Sequence, residues 1–167
     1  MIYLKEANLE DALKEYAFIK GLPEDENGFT NPHWGVSEEA FMQTVLPRML
    51  LAPKGIGLPE GYVPETDFFL WEGDQIVGLF RLRHELNDYL RDHAGHVGYG
   101  IRQDCRGRGL ATLGLKLLIE KARKLIRENE IYLSVNRDNL ASLRVQEKNG
   151  AYIHHSDEQR HYTRIRL

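Results

Sequence analysis

The sequence of 167 residues has a single cysteine, Cys105, so it cannot form an internal disulfide. This excludes a secreted scaffold held together by disulfides, and a reducing compartment suits the chain. No stretch approaches the ~18 consecutive apolar residues of a membrane-spanning helix. The N-terminal segment Met1–Glu6 has neither the basic nor the apolar region of a signal peptide. We therefore expect a cytoplasmic protein without a membrane partner.

An excess of positive charge is missing as well. Lysine and arginine number 22 against 25 aspartates and glutamates, which gives a net charge of −3. Nucleic-acid-binding proteins usually show a basic surplus, so we expect no nucleic-acid partner. A chain of this length buries roughly 70% of its unfolded surface, which is enough for one domain without a metal or a disulfide. We therefore predict a single domain over residues 1–167.

Short apolar runs alternate with helical patterns along the whole chain. In chain order we predict a strand at 2–4, a helix at 8–21, a loop at 22–35, a helix from Ser37, an irregular segment at 53–64, strands at 68–71, 75–82 and 95–101, a helix at 107–128, a strand at 131–135, a helix at 139–148, and strands at 151–153 and 162–167. This order is typical of an α+β (mixed α/β) domain.

The segment Arg102–Ala111 lies between a predicted strand and the strongest predicted helix, and it is rich in glycine and arginine. The first N–H groups of a helix have no partner within it, and the helix dipole favours negative charge there. Gly107 and Gly109 let a ligand approach the backbone, and Arg106 and Arg108 add positive charge. The turn therefore predicts a phosphate-binding site. It lacks the Gly-Lys-Ser/Thr ending of a P-loop and the third glycine of a dinucleotide-binding fingerprint.

Within that turn, Arg106–Ala111 resembles the pyrophosphate loop of the GNAT family of N-acetyltransferases, Gln/Arg-x-x-Gly-x-Gly/Ala. The asparagine-led segment at 136–142, the Glu-Lys-Asn-Gly ending at 147–150 and the glycine-containing strand at 98–102 resemble the same family, and the likeness covers about residues 66–155. It implies one domain with a central, mostly antiparallel sheet, a splayed parallel strand pair and flanking helices. The stretches at 83–87 and 95–99 are also similar to a bacterial subgroup of predicted GNAT acetyltransferases of unassigned substrate.

The resemblance implies an acetyl-CoA-dependent N-acetyltransferase in which a primary amine attacks the thioester directly, within a ternary complex. The acceptor would be a small-molecule or peptide amine, and homodimers are common in the family. The residues expected to bind acetyl-CoA are Ile101, Arg106, Gly107, Arg108, Gly109, Leu110, Ala111, Asn139 and Ser142. Among them, a backbone N–H near Ile101 would polarise the thioester carbonyl. The alternative from another class is a non-catalytic acyl-CoA binding or sensing domain.

One position departs from the family pattern. Many members carry a tyrosine seven residues after the asparagine that Asn139 matches, and its hydroxyl can protonate the leaving thiolate. Here that residue is Gln146, which cannot donate a proton in the same way. Another donor, such as Ser142, Tyr132 or a water, could serve instead. This departure is one reason why the non-catalytic alternative stays open.

The predicted central strand has no carboxylate to take the proton of the attacking amine. It offers His96 and Tyr99 instead, and histidine titrates near neutral pH. Strand alternation puts His96 on the same face as the two glycines of the strand, so His96 is the favoured general base. His84, which has Glu85 beside it at the end of the preceding strand, is the second candidate.

Other polar groups are not expected to take part in catalysis or metal binding. Cys105 is expected to be a bystander, because no obvious base lies near it in the sequence. The histidine pairs at 93/96 and 154/155 do not match the spacing of a zinc set, so we expect no metal. Glu65, Asp67 and Glu85 favour a cationic acceptor, although the sequence does not show which way they face.

Overall fold

The computed structural model describes residues 1–167. The strands are β1 (Ile2–Glu6), β2 (Asp25–Glu26), β3 (Phe29–Thr30), β4 (Glu65–Glu72), β5 (Gln75–Arg83), β6 (Val97–Ile101), β7 (Glu130–Asn136), β8 (Tyr152–Ser156) and β9 (Arg160–Arg166). The helices are α1 (Ala12–Gly21), α2 (Glu38–Ala40), α3 (Leu46–Leu51), α4 (Asp88–Asp92), α5 (Leu110–Leu125) and α6 (Leu140–Lys148), with a π-helical turn at Phe41–Val45 and 3₁₀ turns at Ala52–Lys54 and Gln103–Cys105. None of the helices combines the length and the apolar character needed to cross a membrane.

Two antiparallel sheets form the framework, with strand orders β1-β4-β5-β6 and β7-β9-β8. Strands β6 and β7 meet at one end, where the His96 N–H donates to the Tyr132 carbonyl at 2.7 Å. Further along, the segments 97–99 and 134–136 line opposite walls of a cavity, so the two strands run in the same direction and separate. The predicted fold class is confirmed, and this diverging pair is the splayed pair that the resemblance implied.

Gly95 fixes the point where the two sheets meet. Its φ is +67°, and a Cβ added there would lie 2.2 Å from the Tyr132 carbonyl oxygen. Because the neighbour is backbone and cannot rotate away, only glycine fits this position. The His96 ring completes the junction: Nδ1 accepts from the Tyr132 N–H at 2.9 Å, and Nε2 lies 2.9 Å from Glu128 Oε2.

Alternation along β4 divides the core between the two faces of the first sheet. Phe68 and Leu70 belong to the cluster under α5, whereas Phe69 and Trp71 pack against α1 and the helical residues 41–49. Helix α5 comes close to the sheet at Gly114, where an added Cβ would lie 2.2 Å from a ring carbon of Phe80. Since β4 and β5 are buried on both faces, they hold β6 firmly at the edge of the cavity.

The first helix differs from its prediction. The apolar spacing over 8–21 predicts Leu9 and Leu13 on the buried face, yet both are exposed. The helix begins only at Ala12, so Leu9 precedes it, and the buried face runs through Ala12, Glu15 and Ile19. Leu13 lies about 100° around the helix from Ala12, the nearest residue of that face, and so points away from the core. The predicted loop at 22–35 also differs, because it contains the hairpin formed by β2 and β3.

Candidate functional site

A cavity of about 370 Å³ opens where β6 ends and α5 begins. Its walls are the end of β6, the glycine turn, the first turn of α5, the start of α6 and the β2–β3 hairpin. Eight of the nine predicted acetyl-CoA residues line it, namely Ile101, Arg106, Gly107, Gly109, Leu110, Ala111, Asn139 and Ser142. Tyr99, Thr112 and Val145 also line this cavity, and the sequence alone did not assign the last two to it.

The glycine turn presents bare backbone to this first cavity. Gly107 and Gly109 both have a φ of +75°, and a Cβ added to either would meet no atom within 4 Å. Gly109 is the N-cap of α5, and the Leu113 N–H donates to its carbonyl at 3.1 Å. The N–H groups of residues 110–112 therefore have no partner within the helix. Open space, free N–H groups and the helix dipole together suit a pyrophosphate.

The two arginines of the turn point in different directions. Arg106 Nη2 donates to Glu26 at 2.8 Å, and its Nε donates to the Ile101 carbonyl at 3.1 Å. Arg108 forms two hydrogen bonds with Glu72 at the end of β4, and this pairing lowers the pKa of the Glu72 carboxyl. The expectation for the Arg108 side chain is therefore corrected, because Glu72 holds its guanidinium outside the cavity.

The ladder between β5 and β6 decides which backbone groups of β6 face the cavity. Hydrogen-bonded residues alternate along an antiparallel pair. Arg102 donates to the Val77 carbonyl at 2.9 Å, so the residues at 98 and 100 also bond to β5. The N–H groups of Tyr99 and Ile101 point the other way, into the cleft between β6 and β7. This geometry agrees with the expectation of a free N–H near Ile101.

Tyr99 reaches from β6 across the cleft to α6. Its hydroxyl oxygen lies 2.7 Å from Oγ of Ser142, and the Ser142 N–H donates to Asn139 Oδ1 at 3.3 Å in the cap of α6. Gln146, four residues further along the helix, is buried and accepts a hydrogen bond from the Thr163 hydroxyl at 2.6 Å. Burial raises the pKa of the Tyr99 hydroxyl, so this group stays protonated at neutral pH.

A second cavity, of about 210 Å³, continues beyond Tyr99. Both cavities are lined by Glu26, Asn27, Phe29, Tyr99, Asn139 and Ser142, so they form one path between the splayed strands. The second cavity has the more polar walls, which include Arg81, Arg83, Ser134, Asn136 and Arg160. None of these five residues was assigned to the site from the sequence.

The β2–β3 hairpin covers both cavities and was missed in the sequence. Its turn is Asn27-Gly28, with φ values of +53° and +86°, and this dipeptide is a strong hairpin signal. The flanking strands have only two residues each, which is too short to show an alternating pattern. Phe29 packs on β6, where an added Cβ would lie 2.9 Å from its ring at Gly100 and 3.3 Å at Gly98. The glycines of β6 therefore make room for Phe29, where the sequence suggested a ligand.

His96 lies outside both cavities, which corrects the expectation that it faces the ligand. Its side chain is fully buried, and both ring nitrogens are occupied, one by Glu128 and the other by the Tyr132 N–H. Burial lowers the pKa of the His96 imidazole. The chain turns at Gly95 and β6 begins at Val97, so strand alternation does not extend back to His96.

His84 also lies outside both cavities. Its Nε2 is 2.8 Å from the hydroxyl oxygen of Thr66 on β4, and burial lowers the pKa of its ring. The neighbouring Glu85 pairs with Arg127 at 3.1 Å. Strand β5 ends at the preceding residue, and the His84 side chain turns toward β4. Of the three predicted catalytic residues, Tyr99 alone lines the path between the cavities.

Cys105 lines the first cavity, but its thiol is buried and lies 3.6 Å from Asp104 Oδ1. No histidine lines that cavity, so the thiol has no imidazole partner there. Nowhere in the structure do three or more histidine, cysteine, aspartate or glutamate side chains come together as a metal-binding group.

Comparison with known proteins points in one direction. The sequence model of the family described as "Acetyltransferase (GNAT) domain" matches residues 59–152. A GNAT-family acetyltransferase from Streptococcus pneumoniae has 18% identity and a TM-score of 0.67, with 100% of both chains covered. Campylobacter jejuni N-acetyltransferase PseH, solved with acetyl coenzyme A, has 15% identity and a TM-score of 0.60, with 100% of this chain and 99% of that chain covered. Mycobacterium smegmatis RimJ, solved with CoA-disulfide, has 15% identity and a TM-score of 0.68, with coverage of 99% and 82%. Comparison with curated protein sequences finds no match.

Proposed function

The chain belongs to the GNAT acetyltransferase family, and from that premise we propose that it transfers an acetyl group from acetyl-CoA to a primary amine by direct attack in a ternary complex. Membership in this family confirms the expectation of an N-acetyltransferase. The observation that carries the proposal is the continuous path formed by the two cavities, with the glycine turn at one end and Tyr99 in the middle.

Acetyl-CoA supplies an activated acetyl group, and the first cavity suits it. The free N–H groups at 107–112 would hold its pyrophosphate, and the space beside Gly107 and Gly109 is open for that purpose. Asn139 and Ser142 at the start of α6 would contact the pantetheine arm. The solved complexes of PseH with acetyl coenzyme A and of RimJ with CoA-disulfide, which share this fold, support the assignment.

The backbone of β6 would stabilise the reacting carbonyl. The N–H groups of Tyr99 and Ile101 are free of the β5 ladder and point into the cleft. Fixed backbone donors of this kind stabilise the negative charge that develops on a thioester oxygen under attack. Because β5 is buried on both faces, these donors stay in place without reorganisation.

Tyr99 is the residue that we assign to the leaving group. Its hydroxyl stays protonated at neutral pH and lies between the two cavities, so it can donate a hydrogen bond to the departing thiolate and pass it a proton. Ser142, 2.7 Å away, orients the hydroxyl. In this assignment a tyrosine hydroxyl comes from β6, whereas many family members supply it from the helix position held here by Gln146.

The proton of the amine would leave before the attack. Glu26 is the one carboxylate that lines both cavities, and it is held by Arg106. We therefore assign no side chain as general base, and water in the second cavity would take the proton. The rate would then follow the fraction of acceptor amine that is neutral.

Initial-rate kinetics on the purified chain test this function. Thiol release from acetyl-CoA would be measured over a panel of primary amines, and CoA binding would be measured by calorimetry. We expect turnover with at least one amine and intersecting double-reciprocal lines, because direct attack needs both substrates bound together. Parallel lines would contradict direct attack. Tight CoA binding without turnover on any amine would instead favour a non-catalytic acyl-CoA binding or sensing domain.

A further inference from the structure

We propose that the acceptor is a primary amine carrying an anionic group, a carboxylate or a phosphate, which the guanidinium of Arg160 binds in the second cavity. This inference rests on the proposed function and adds the class of substrate to it. Three arginines line the second cavity, and they differ in whether a carboxylate of the chain already pairs with them.

Two of the three arginines already have partners. Arg81 lies 3.3 Å from Asp67 and 3.9 Å from Glu65, and Arg83 lies 3.8 Å from Glu65 and donates to the Gly95 carbonyl at 3.2 Å. Of the three carboxylates that favoured a cationic acceptor in the sequence, Glu65 and Asp67 are therefore neutralised by neighbours on β5, and Glu85 is paired with Arg127. Their charge is not available to attract a cationic substrate.

Arg160 differs from them because its guanidinium has no hydrogen-bond or ion-pair partner in the chain. Its Nη2 lies 3.8 Å from the place where a Cβ on Gly28 would stand, and Asn136 Oδ1 lies 3.9 Å from the same point. The guanidinium and the amide therefore lie together under the turn of the β2–β3 hairpin, on residues that face each other across β7 and β9.

Two carboxylates that could pair with Arg160, Asp157 close to it in the chain and Glu26 in the same cavity wall, are engaged elsewhere. Asp157 accepts the N–H groups of Gln159 and Arg160 and the hydroxyl of Tyr162, and Glu26 is paired with Arg106. A half-buried guanidinium left without a counter-ion favours an anion, and its planar fork matches a carboxylate or a phosphate. An acceptor with a second ammonium would be repelled at the same place.

The position of Arg160 also agrees with where the acceptor amine would have to lie for acetyl transfer. Tyr99 and Ser142 mark the boundary between the cavities, where the acetyl group would be transferred. An amine at that boundary leaves the rest of the acceptor in the second cavity, alongside Asn136 and Arg160. At about 210 Å³, this cavity is small for a ligand site, which favours a small amine over a long peptide.

Matched acceptors and matched variants test the inference. The amines are β-alanine against propylamine, phosphoethanolamine against ethanolamine, and putrescine as a dication. With the wild-type chain we expect kcat/KM for at least one anionic amine to exceed that of its uncharged partner by at least ~10-fold, which is ~1.4 kcal/mol. Arg160→Gln should remove that preference and leave the uncharged amines within about three-fold, and Arg160→Lys should retain part of it. Arg144→Gln, on the exposed face of α6, is the control and should change neither value.

Binding separates this inference from the proposed function. Each amine would be titrated by calorimetry into the CoA-loaded wild type and the Arg160→Gln variant. Selective binding of an anionic amine without any turnover would refute the acetyl transfer and sustain the anion site. Equal kcat/KM values for charged and uncharged partners, or equal losses on both in Arg160→Gln, would overturn the inference. Absence of both selective turnover and selective binding would overturn it as well.

Discussion

The hydroxyl oxygen of Tyr99 lies 2.7 Å from Oγ of Ser142, and this contact joins the edge of β6 to the first turn of α6 across the cleft. Ser142 and Gln146 are four residues apart, so they share one face of α6. The tyrosine hydroxyl therefore reaches the helix face on which many family members carry their own tyrosine. In the proposed mechanism, the acid group that the sequence lacks on α6 would therefore come from Tyr99 on the opposite wall.

Removal of that hydroxyl should slow the chemistry more than the binding. We expect Tyr99→Phe to lower kcat by roughly 10- to 100-fold, at or below the lower end of the ~100- to 10,000-fold typical of positioned acid groups, and to leave CoA affinity within a few-fold. The ring still packs on Phe80, so the fold should be retained. Tyr89→Phe, at an exposed tyrosine, serves as the control. If kcat is unchanged in Tyr99→Phe, water and not Tyr99 supplies the proton to the leaving thiolate.

Substitution in the glycine turn should weaken CoA binding. Gly109→Ala places a methyl group in the open space beside the backbone, and we expect CoA affinity to fall at least ~10-fold by calorimetry. The positive φ alone costs about 1–2 kcal/mol of stability for any side chain. Gly57→Ala is the matched control, because Gly57 also has a positive φ, +70°, and no atom near its Cβ position. If Gly109→Ala binds CoA as tightly as Gly57→Ala does, the glycine turn has only a structural role.

Glu15 should make stability depend on pH. Its side chain is fully buried, Oε2 has no hydrogen-bond partner, and burial raises the pKa to about 7. The folded chain thus holds this proton more tightly than the unfolded chain, so the free energy of unfolding should fall as pH rises from about 4.5 to 7. The loss is on the order of 3 kcal/mol for an isolated group with this shift.

A neutral side chain should remove that dependence. We expect Glu15→Gln to unfold at a higher denaturant midpoint than the wild type at pH 8, and the difference should shrink at pH 5. The exposed Glu24→Gln is the control and should follow the wild type at both values. A difference that is the same at both pH values would show that Glu15 keeps its charge in the fold.

Substitution of His96 should lower the free energy of unfolding and change kcat little. His96→Gln breaks the junction with Glu128 and the Tyr132 N–H, and we expect a loss of about 2–4 kcal/mol, in the range for buried polar groups that lose their partners. Where the variant is folded, kcat should stay within about three-fold. The exposed His93→Gln is the control. A kcat at least ~100-fold lower in folded His96→Gln, with one ionisation lost from the pH profile of kcat/KM, would restore the histidine as base.

The parts of the site that the sequence predicted are those that local chain geometry determines. A strand, a glycine turn and a helix follow one another directly, so Gly107, Gly109 and the start of α5 could be placed without knowing the rest of the fold. The same holds for Asn139, which caps α6 next in the chain. The geometry of these residues is that of a turn or a helix cap, and their neighbours in space are their neighbours in sequence.

The parts that the sequence did not predict depend on long-range contacts. Arg108 was assigned to the cavity, but its partner Glu72 lies 36 residues away. Arg160 enters the site because β9 pairs with β7, and nothing near it in sequence indicates this. Strand alternation also failed for His96, since β6 begins only at Val97 and His96 lies in the bend before it. The two-residue strands of the β2–β3 hairpin are too short for periodicity to detect.

Because β6 and β7 are joined only at the Gly95 junction, the cleft between them widens with distance from it. Strands β6 and β7 are fixed together beside His96 and Tyr132 and spread apart toward Ile101 and Asn136. A small rotation at the closed end therefore produces its largest displacement at the open end, where the acetyl donor would lie. The junction that joins the two strands is built from Gly95, His96 and Tyr132, none of which lines either cavity. Glu128→Gln would change the partner of His96 at this junction and leave every cavity-lining residue in place.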